Sequence, residues 1–402
     1  MSLNNTPKAD RIHIGIFGCT NAGKSSIINA ITGQNLALVS GIKGTTTDPV
    51  SKAMELLPLG PVVIIDTPGL DDDSVLGKQR IKKAIQVLNK TDIALLVVDA
   101  LKGIANSDKM IIEKISEKKI PYVVAINKAD LLDDYSDLDE NQIYVSATTG
   151  DGITELKELL AKQKPDNEKE LRIVGDLIKP LDLVVLVTPI DESAPKGRLI
   201  LPQQQTIRDI LESGAIPIIT RETELRDTLA SLGKKPKLVI TDSQVFAQVS
   251  ADTPDDILLT SFSILFARYK GELKELIRGV KIVKELQNGD RVLISEGCTH
   301  HRQCEDIGTV KIPKLLLKHT GVKIDFETTS GTEFPADLSQ YKLIIHCGGC
   351  MLNDREMKYR IKTTVEQDIP IVNYGVLLAF LNGILKRSVQ IFPEILLELE
   401  GY

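Results

Sequence analysis

The sequence has few cysteines, no long run of basic residues and no long apolar run. Five cysteines in 402 residues are too few for a disulfide framework, so we expect reduced thiols and a cytoplasmic protein. The formal net charge is -6, and the lack of a basic stripe argues against nucleic acid as the main ligand. Apolar runs such as 93–98 are strand-sized and residues 1–10 are polar, which predicts neither a membrane-spanning segment nor a signal peptide.

Strand and helix signals alternate along most of the chain, which predicts the α/β fold class. The predicted strands are 12–17, 62–65, 93–98, 122–126, 143–145, 183–188, 216–220, 238–241, 291–295, 323–327, 342–346 and 371–374. The predicted helices are 24–32, 78–88, 108–118 and 153–162, with a further helix beginning near Pro202.

The first motif is a glycine-rich loop between a predicted strand and a predicted helix. Residues Gly18 to Ser25 fit the GxxxxGKS pattern, whose backbone N–H groups and helix N-terminus bind phosphate. Lys24 is expected to reach the β and γ phosphates, and Ser25 is expected to bind Mg²⁺. The other nucleotide-binding candidates in this loop are Gly18, Asn21, Ala22, Gly23 and Ser26.

Two further motifs follow predicted strands and complete a guanine-nucleotide signature. In Asp66-Thr67-Pro68-Gly69, Asp66 is expected to hold Mg²⁺ through water and Gly69 to donate its N–H to the γ-phosphate. In Asn127-Lys128-Ala129-Asp130, the Asp130 carboxylate can accept hydrogen bonds from N1–H and N2–H₂ of guanine. Adenine lacks both donors, so GTP is the predicted substrate. The residues expected behind the base are Ser146, Ala147 and Thr148.

The segment from Gly44 to Pro49 lies where GTPases keep their first switch. It contains Thr45, Thr46 and Thr47, one of which is expected to bind Mg²⁺, and Thr47 is the candidate. The residue after Gly69 is Leu70, where many GTPases have a water-orienting glutamine, so we expect slow intrinsic hydrolysis. The candidate catalytic residues are Asn21, Lys24, Asp66 and Gly69.

Asn21 and the Gly44 to Asp48 switch resemble those of the potassium-activated GTPases of the TrmE and Era type. The resemblance implies that Asn21 coordinates K⁺ beside the phosphates, where the cation would supply the positive charge of an arginine finger.

A second constellation lies far from the nucleotide motifs. It consists of Cys298, His300, His301, His346, Cys347 and Cys350. Cys298 and Cys347 each follow a predicted strand, and such strand ends meet at one edge of a parallel sheet. Three thiolates with one non-thiolate position suit either a closed structural zinc site or a 4Fe-4S cluster with an open iron. The candidates for the fourth position are His300, His301, Cys304, Glu305 and His346.

A GTPase domain followed by Cys-x-His and His-Cys-x-x-Cys resembles the HydF family, GTPases that assist maturation of FeFe-hydrogenase. The resemblance implies a 4Fe-4S cluster on Cys298, Cys347 and Cys350, with His300 and His346 matching the family's histidines. It also implies a homodimer that acts as a scaffold or carrier, receiving a di-iron precursor from radical maturases and delivering it to the apo-hydrogenase.

We therefore expect three α/β domains: a P-loop GTPase domain at 8–165, a middle or dimerisation domain at 171–264, and a cluster-binding domain with a parallel sheet at 265–402. One alternative is an RNA-modification or ribosome-associated GTPase with a structural zinc site. Another is a redox enzyme that uses the cluster for electron transfer.

Overall fold

The structure is a computed structural model that describes residues 8–33, 49–70, 75–164, 172–190, 199–297, 306–331 and 333–400, apart from the side chains of 75–79 and 400. The chain divides into two compact units, 1–168 and 169–402. Both units are α/β, as the sequence predicts. Among the described residues, none of the helices has the length and apolar character that a membrane crossing requires.

The first unit is built on a six-stranded sheet. In chain order its elements are β1 (Ile12–Phe17), α1 (Lys24–Thr32), β2 (Val50–Leu56), β3 (Gly60–Asp66), α2 (Val75–Leu88), β4 (Ile93–Asp99), α3 (Asn106–Glu117), β5 (Tyr122–Asn127), β6 (Gln142–Val145) and α4 (Ile153–Lys162). The strand order is β2-β3-β1-β4-β5-β6. β2 is antiparallel to β3, and the other strand pairs are parallel.

This sheet is buried on both faces because its central strands are apolar at nearly every position. All seven residues of β4 are buried. One hydrophobic cluster contains Ile27 of α1 and Leu156 of α4, and the other contains Ala84 of α2 and Ile111 of α3. Helices therefore cover both faces, and the carboxyl ends of β1, β3, β4 and β5 lie at one edge, where doubly wound sheets bind ligands.

The second unit contains two four-stranded sheets. Its elements are β7 (Leu183–Val187), α5 (Leu201–Glu212), β8 (Ile216–Thr220), α6 (Leu225–Ser231), β9 (Leu238–Thr241), α7 (Phe246–Asp252), β10 (Leu258–Ser261), α8 (Phe262–Lys270), α9 (Leu273–Val280), β11 (Arg291–Ser295), α10 (Ile312–Thr320), β12 (Asp325–Thr329), β13 (Leu343–His346), α11 (Asp354–Glu366), β14 (Ile371–Asn373), α12 (Tyr374–Leu381), α13 (Leu385–Ser388) and α14 (Pro393–Glu400).

The sheet orders in this unit are β10-β9-β7-β8 and β12-β11-β13-β14, and their strand pairs are parallel. One hydrophobic core contains residues from both sheets. The expected domain boundary between residues 264 and 265 falls inside α8, so the division of this unit into two domains stays a prediction.

Several predicted elements have the observed bounds, among them β1, α1, α4 and β11. The strand predicted at 323–327 begins two residues later, as β12. Two strands were not predicted. β2 is an edge strand with one buried residue, Leu56, so it lacks the apolar run of a central strand. β10 has four residues and runs directly into α8, where the Ser261 side chain caps the helix by accepting from the Ile264 N–H.

Candidate nucleotide and cluster sites

The phosphate loop turns sharply between β1 and α1. Gly18, Asn21 and Gly23 have φ angles of 138°, 65° and 94°, in the region that favours glycine. A Cβ on Gly18 would lie 2.2 Å from the Val97 carbonyl oxygen, and a Cβ on Gly23 would lie 2.1 Å from Asn127 Nδ2. The two glycines are therefore required by close packing as well as by backbone conformation.

The Lys24 side chain folds back over this loop. Its Nζ donates to the carbonyl oxygens of Gly18 and Cys19, both at 2.9 Å. Ser25 and Ser26 begin α1 and are exposed, as is Asn21. The loop thus presents its candidate phosphate and cation ligands on an accessible surface.

Asp66 ends β3 next to this loop. Its Oδ1 is buried and has no hydrogen-bond partner among the described residues. Burial raises the pKa of Asp66, and the Lys24 charge and the Thr67 N–H oppose this increase only in part. A buried polar atom left without a partner needs an explanation. A carboxylate oxygen in this position can accept a hydrogen bond from a water molecule bound to Mg²⁺.

The turn after Asp66 approaches the phosphate loop closely. A Cβ on Gly69 would lie 2.1 Å from Thr20 Oγ1 and 2.9 Å from the Thr20 nitrogen. The next side chain, Leu70, is 1% exposed and belongs to the core. It therefore packs away from solvent and cannot orient a water molecule for attack.

Asn127 joins three of the motifs. It is buried, its Nδ2 donates to the Ala22 carbonyl oxygen at 2.9 Å, and its Oδ1 accepts from the Ala147 N–H at 3.1 Å. The phosphate loop and the loops after β5 and β6 are thereby held together. Asp130 is exposed in the 3-10 turn Ala129–Leu131, and the Ser146 Oγ accepts from the Thr149 N–H at 3.1 Å.

Sequence reasoning missed Asp99, which forms an ion pair with Lys128. Lys128 has a φ angle of 68°, and its Nζ lies 2.5 Å from Asp99 Oδ2. Burial alone would raise the pKa of Asp99, but hydrogen bonds from Lys128 and the Leu101 N–H outweigh it, so the pKa is lowered. Asp99 pairs with Asn127 across the parallel strands β4 and β5, and its place at the end of a buried strand was an available signal.

Some predicted site residues lie outside the described residues. They are Thr45, Thr46, Thr47, Cys298, His300, His301, Cys304 and Glu305.

The cysteine loop, Cys347 to Cys350, begins where β13 ends. Ser295 of β11 pairs with His346 of β13, and the Cys347 N–H donates to the Ser295 carbonyl oxygen at 3.0 Å. The Cys347 Sγ accepts from the backbone N–H groups of Gly297 at 3.0 Å and Gly349 at 3.4 Å. The residue directly before Cys298 is therefore in hydrogen-bond contact with the sulfur of Cys347, and such N–H donors stabilise thiolate ligands.

The loop brings two thiols to this sheet edge, those of Cys347 and Cys350. Burial raises the pKa of the Cys350 thiol, whereas the charge of Lys270 and two backbone N–H groups lower it. Gly349 has a φ angle of 63°, and a Cβ there would lie 2.6 Å from the Met357 Sδ. Within the described ranges, no three Cys, His, Asp or Glu side chains form a metal-binding group.

His346 is fully buried, and both of its ring nitrogens are engaged. Its Nδ1 lies 2.6 Å from the Cys347 carbonyl oxygen, and its Nε2 lies 3.0 Å from Arg360 Nη1. Burial and the Arg360 charge lower the pKa of His346 to about 3. The ring is therefore neutral, with Nδ1–H donating and Nε2 accepting. Both nitrogens thus have protein partners, and the expectation that His346 is a candidate fourth ligand stays a prediction.

Arg360, which sequence reasoning also missed, supports this sheet edge from within the core. Its side chain is fully buried. It donates to Glu356 Oε1 at 3.0 Å, Ser295 Oγ at 3.2 Å and the Gly331 carbonyl oxygen at 2.7 Å, besides His346. The Arg360 guanidinium thus connects β11, β13 and α11 by hydrogen bonds beside the cysteine loop. No sequence signal identified it, because Glu356 and Arg360 have the spacing of an ordinary surface pair on a helix.

Comparisons with known proteins assign different families to different segments of the chain. Residues 13–128 match the family described as 50S ribosome-binding GTPase, and the first unit is a GTPase domain. Among curated proteins, GTPase Der of Kosmotoga olearia is 32% identical over 194 residues, covering 42% of this chain and 43% of that protein. The tRNA modification GTPase MnmE of Legionella pneumophila is 40% identical over 151 residues, covering 36% of this chain and 33% of that protein. The chain spans less than half the length of these relatives.

Among solved structures, Era of Aquifex aeolicus bound to GDP.AlF4- is similar at 20% identity with a TM-score of 0.33, covering 55% of this chain and 98% of that chain. Residues 173–271 match the hydrogen maturase F dimerization domain, and residues 274–391 match the hydrogen maturase F tetramerization domain. These two segments make up more than half of the chain and follow a GTPase domain, and the chain therefore belongs to the HydF family.

Proposed function

We propose that this protein is a GTPase and 4Fe-4S scaffold that assists assembly of the di-iron site of FeFe-hydrogenase. It would receive a precursor from radical maturases and deliver it to the apo-hydrogenase. The observation that carries the proposal is the contact between the Gly297 N–H and the Cys347 Sγ, which draws the strand end before Cys298 to the cysteine loop. This sulfur site belongs to a chain that also has a guanine-nucleotide site.

The cluster would be held by Cys298, Cys347 and Cys350. Two backbone N–H groups already donate to the Cys347 sulfur, as they do around iron-sulfur clusters. When bound, a cluster with three thiolate ligands supplies an iron with an open position. The engagement of His346 by protein partners weakens the alternative of a closed zinc site that uses this histidine. His300, His301, Cys304 and Glu305 stay candidates for the fourth position.

GTP hydrolysis would use the residues of the first unit in the roles that P-loop enzymes give them. Lys24 would contact the phosphates, Ser25 and Thr47 would bind Mg²⁺, and Asp66 would hold it through water. Leu70 replaces the water-orienting glutamine of many GTPases, and its side chain is buried in the core. Another group must therefore stabilise the transition state of hydrolysis. We infer K⁺ at Asn21, which is exposed beside the loop.

The potassium proposal is tested by GTPase rates in K⁺ and in Na⁺ at equal ionic strength. We expect K⁺ to accelerate hydrolysis by about 10-fold or more, since a cation in the arginine-finger position acts on transition-state charge. The Asn21→Gly variant keeps the left-handed backbone and should lose this acceleration. Equal wild-type rates in the two salts would exclude the proposal.

The protein would act as a homodimer in the reducing cytoplasm. The match of residues 173–271 to a dimerization domain supports the oligomer, and the low cysteine content supports the compartment. Sedimentation that shows only a monomer at micromolar concentration would contradict the dimer.

The maturation role is tested by anaerobic activation of apo-hydrogenase with protein prepared together with the radical maturases. Wild type should activate the hydrogenase, and Cys350→Ser should not. Cys19→Ser is the control for loss of a thiol far in sequence from the cysteine loop. Because Cys19 lies in the phosphate loop, with its Sγ 3.3 Å from Ser107 Oγ, the GTPase rate of this variant is measured beside wild type. Equal activation by wild type and Cys350→Ser would refute the proposed role in maturation. The tRNA modification relatives match only 36% of the chain, and the segments 173–271 and 274–391 match hydrogen maturase F domains instead.

A further inference from the structure

Lys270 is a buried lysine at the end of α8. The residue is 2% exposed, and its Nζ donates to the Leu352 carbonyl oxygen at 3.1 Å. This is its one hydrogen-bond acceptor among the described residues, although an ammonium group has three N–H donors. No carboxylate in the described part of the chain forms an ion pair with it. Burying a charge without an oppositely charged partner is strongly unfavourable, so the position of this ammonium needs a reason.

The ammonium lies next to the cysteine loop. Leu352 follows Cys350 by two residues, and the charge of Lys270 acts on the Cys350 thiol. Lys270, His346 and Cys347 also line one narrow cavity of about 10 Å³, room for about one water molecule. The lysine therefore lies beside the loop whose two cysteines would bind the cluster.

Two other buried charged residues lie near this loop. Arg360 is paired with Glu356 at 3.0 Å. Glu296, which precedes Gly297, is an anion that accepts a hydrogen bond from the Tyr374 hydroxyl at 3.1 Å. Among these groups, Lys270 is the cation that lacks a carboxylate, so it is the one that fits an added anion.

We propose that Lys270 is the counter-charge of the cluster: a positioning residue whose ammonium offsets the negative charge that the thiolates of Cys347 and Cys350 bring into the buried loop. The inference rests on the proposed cluster site and adds to it a residue that touches neither iron nor nucleotide. The residue comes from the segment that matches the dimerization domain, whereas the cysteines come from the segment that matches the tetramerization domain. Both segments therefore contribute charged groups to the proposed cluster site.

The test compares Lys270→Met, Lys270→Arg and the control Lys362→Met in the full chain after anaerobic reconstitution. Lys362 is a surface lysine on α11 with a side chain 72% exposed, so its charge is screened by solvent. The readouts are the reduction potential of the cluster, followed by electron paramagnetic resonance, and the rate of iron release to a chelator. Reduction adds negative charge, which a nearby cation favours.

Lys270→Met should therefore make reduction about 10-fold less favourable, a decrease of about 59 mV for one electron, and should release iron several-fold faster. Lys270→Arg and Lys362→Met should match wild type. Without iron, Lys270→Met should unfold at the same or higher denaturant concentration, because an unmatched buried charge has been removed.

Two results would overturn the inference. One is a Lys270→Met cluster with wild-type potential and wild-type iron release. The other is an iron-free Lys270→Met chain that is markedly less stable than wild type, which would make the lysine a structural residue. A wild-type chain that takes up no iron would be a different failure: it would refute the cluster site itself, and the role of Lys270 would fall with it.

Discussion

The nucleotide site and the cysteine loop lie at equivalent places in two different sheets, but opposite charges are left unmatched in them. Each follows the carboxyl end of a parallel strand, and each has a loop with a glycine at positive φ. In the first site a carboxylate oxygen of Asp66 is buried and has no hydrogen-bond partner within the described ranges. In the second site the ammonium of Lys270 is buried, and its one acceptor in the described part of the chain is a carbonyl oxygen. The first site is therefore suited to a cation that accompanies phosphates, and the second to an anionic group held by sulfur.

The two sites also differ in how they are supported. Backbone conformation and one amide, Asn127, hold the phosphate loop. The cysteine loop depends on a buried ionic network centred on Arg360. Separate substitutions in the two sites test whether they are supported in these different ways.

The largest expected effect is that of Arg360→Met on the stability of the second unit. The substitution leaves Glu356 as an uncompensated buried charge and His346 Nε2 without its donor, which should cost about 3–5 kcal/mol of unfolding free energy. Denaturant unfolding of iron-free protein measures it. Arg208→Met is the control, because Arg208 is 76% exposed and pairs on the surface with Glu212, a contact that contributes about 0–1 kcal/mol. Equal losses in the two variants would refute the supporting role of Arg360.

The next effect is that of Lys24→Ala on GTP hydrolysis. The variant removes the phosphate-facing charge, so kcat/KM should fall by about 100- to 1,000-fold, the effect of losing one donor that stabilises transition-state charge. Steady-state kinetics in K⁺ and Mg²⁺ measure it. The iron content after reconstitution should stay at the wild-type level. A parallel loss of iron would show that the two sites are not independent.

A smaller effect is expected for Asp99→Asn on nucleotide affinity. Asp99 holds Lys128 at 2.5 Å, and hydrogen bonds to charged groups contribute about 1.5–3 kcal/mol. The binding free energy of GDP, measured by calorimetry, should become less favourable by up to about 3 kcal/mol. An unchanged Kd would mean that Lys128 keeps its position without the carboxylate.

The smallest effect is the pH dependence that Asp99 gives to the first unit. Its pKa is lower in the folded chain than its usual value of 3.8, so below about pH 4 the unfolded chain binds more protons than the folded one. The contribution of Asp99 is therefore complete above that pH and is lost as the pH falls through the folded pKa. Acid unfolding curves of wild type should be steeper there than those of Asp99→Asn. Curves of equal slope would contradict this sign.

The nucleotide site could be predicted from sequence because its chemistry lies in contiguous motifs. The meeting of Gly297 with Cys347 could also be anticipated, since each follows an apolar strand of a parallel sheet. Lys270 and Arg360 could not be predicted, because a basic residue on a helix is normally exposed and only tertiary packing buries it. The contacts of His346 could not be predicted for a related reason. Its place beside Cys347 indicated a ligand, and its burial at the end of β13 directs its ring to Arg360.

Metal analysis of protein purified without oxygen tests the central claim most directly, with iron, sulfide and zinc counted per chain for wild type, Cys347→Ser and Cys19→Ser. We predict that wild type and Cys19→Ser contain iron and sulfide in equal proportion with little zinc, and that Cys347→Ser loses most of its iron. Wild-type protein that holds one zinc per chain and takes up no iron on reconstitution would contradict the account.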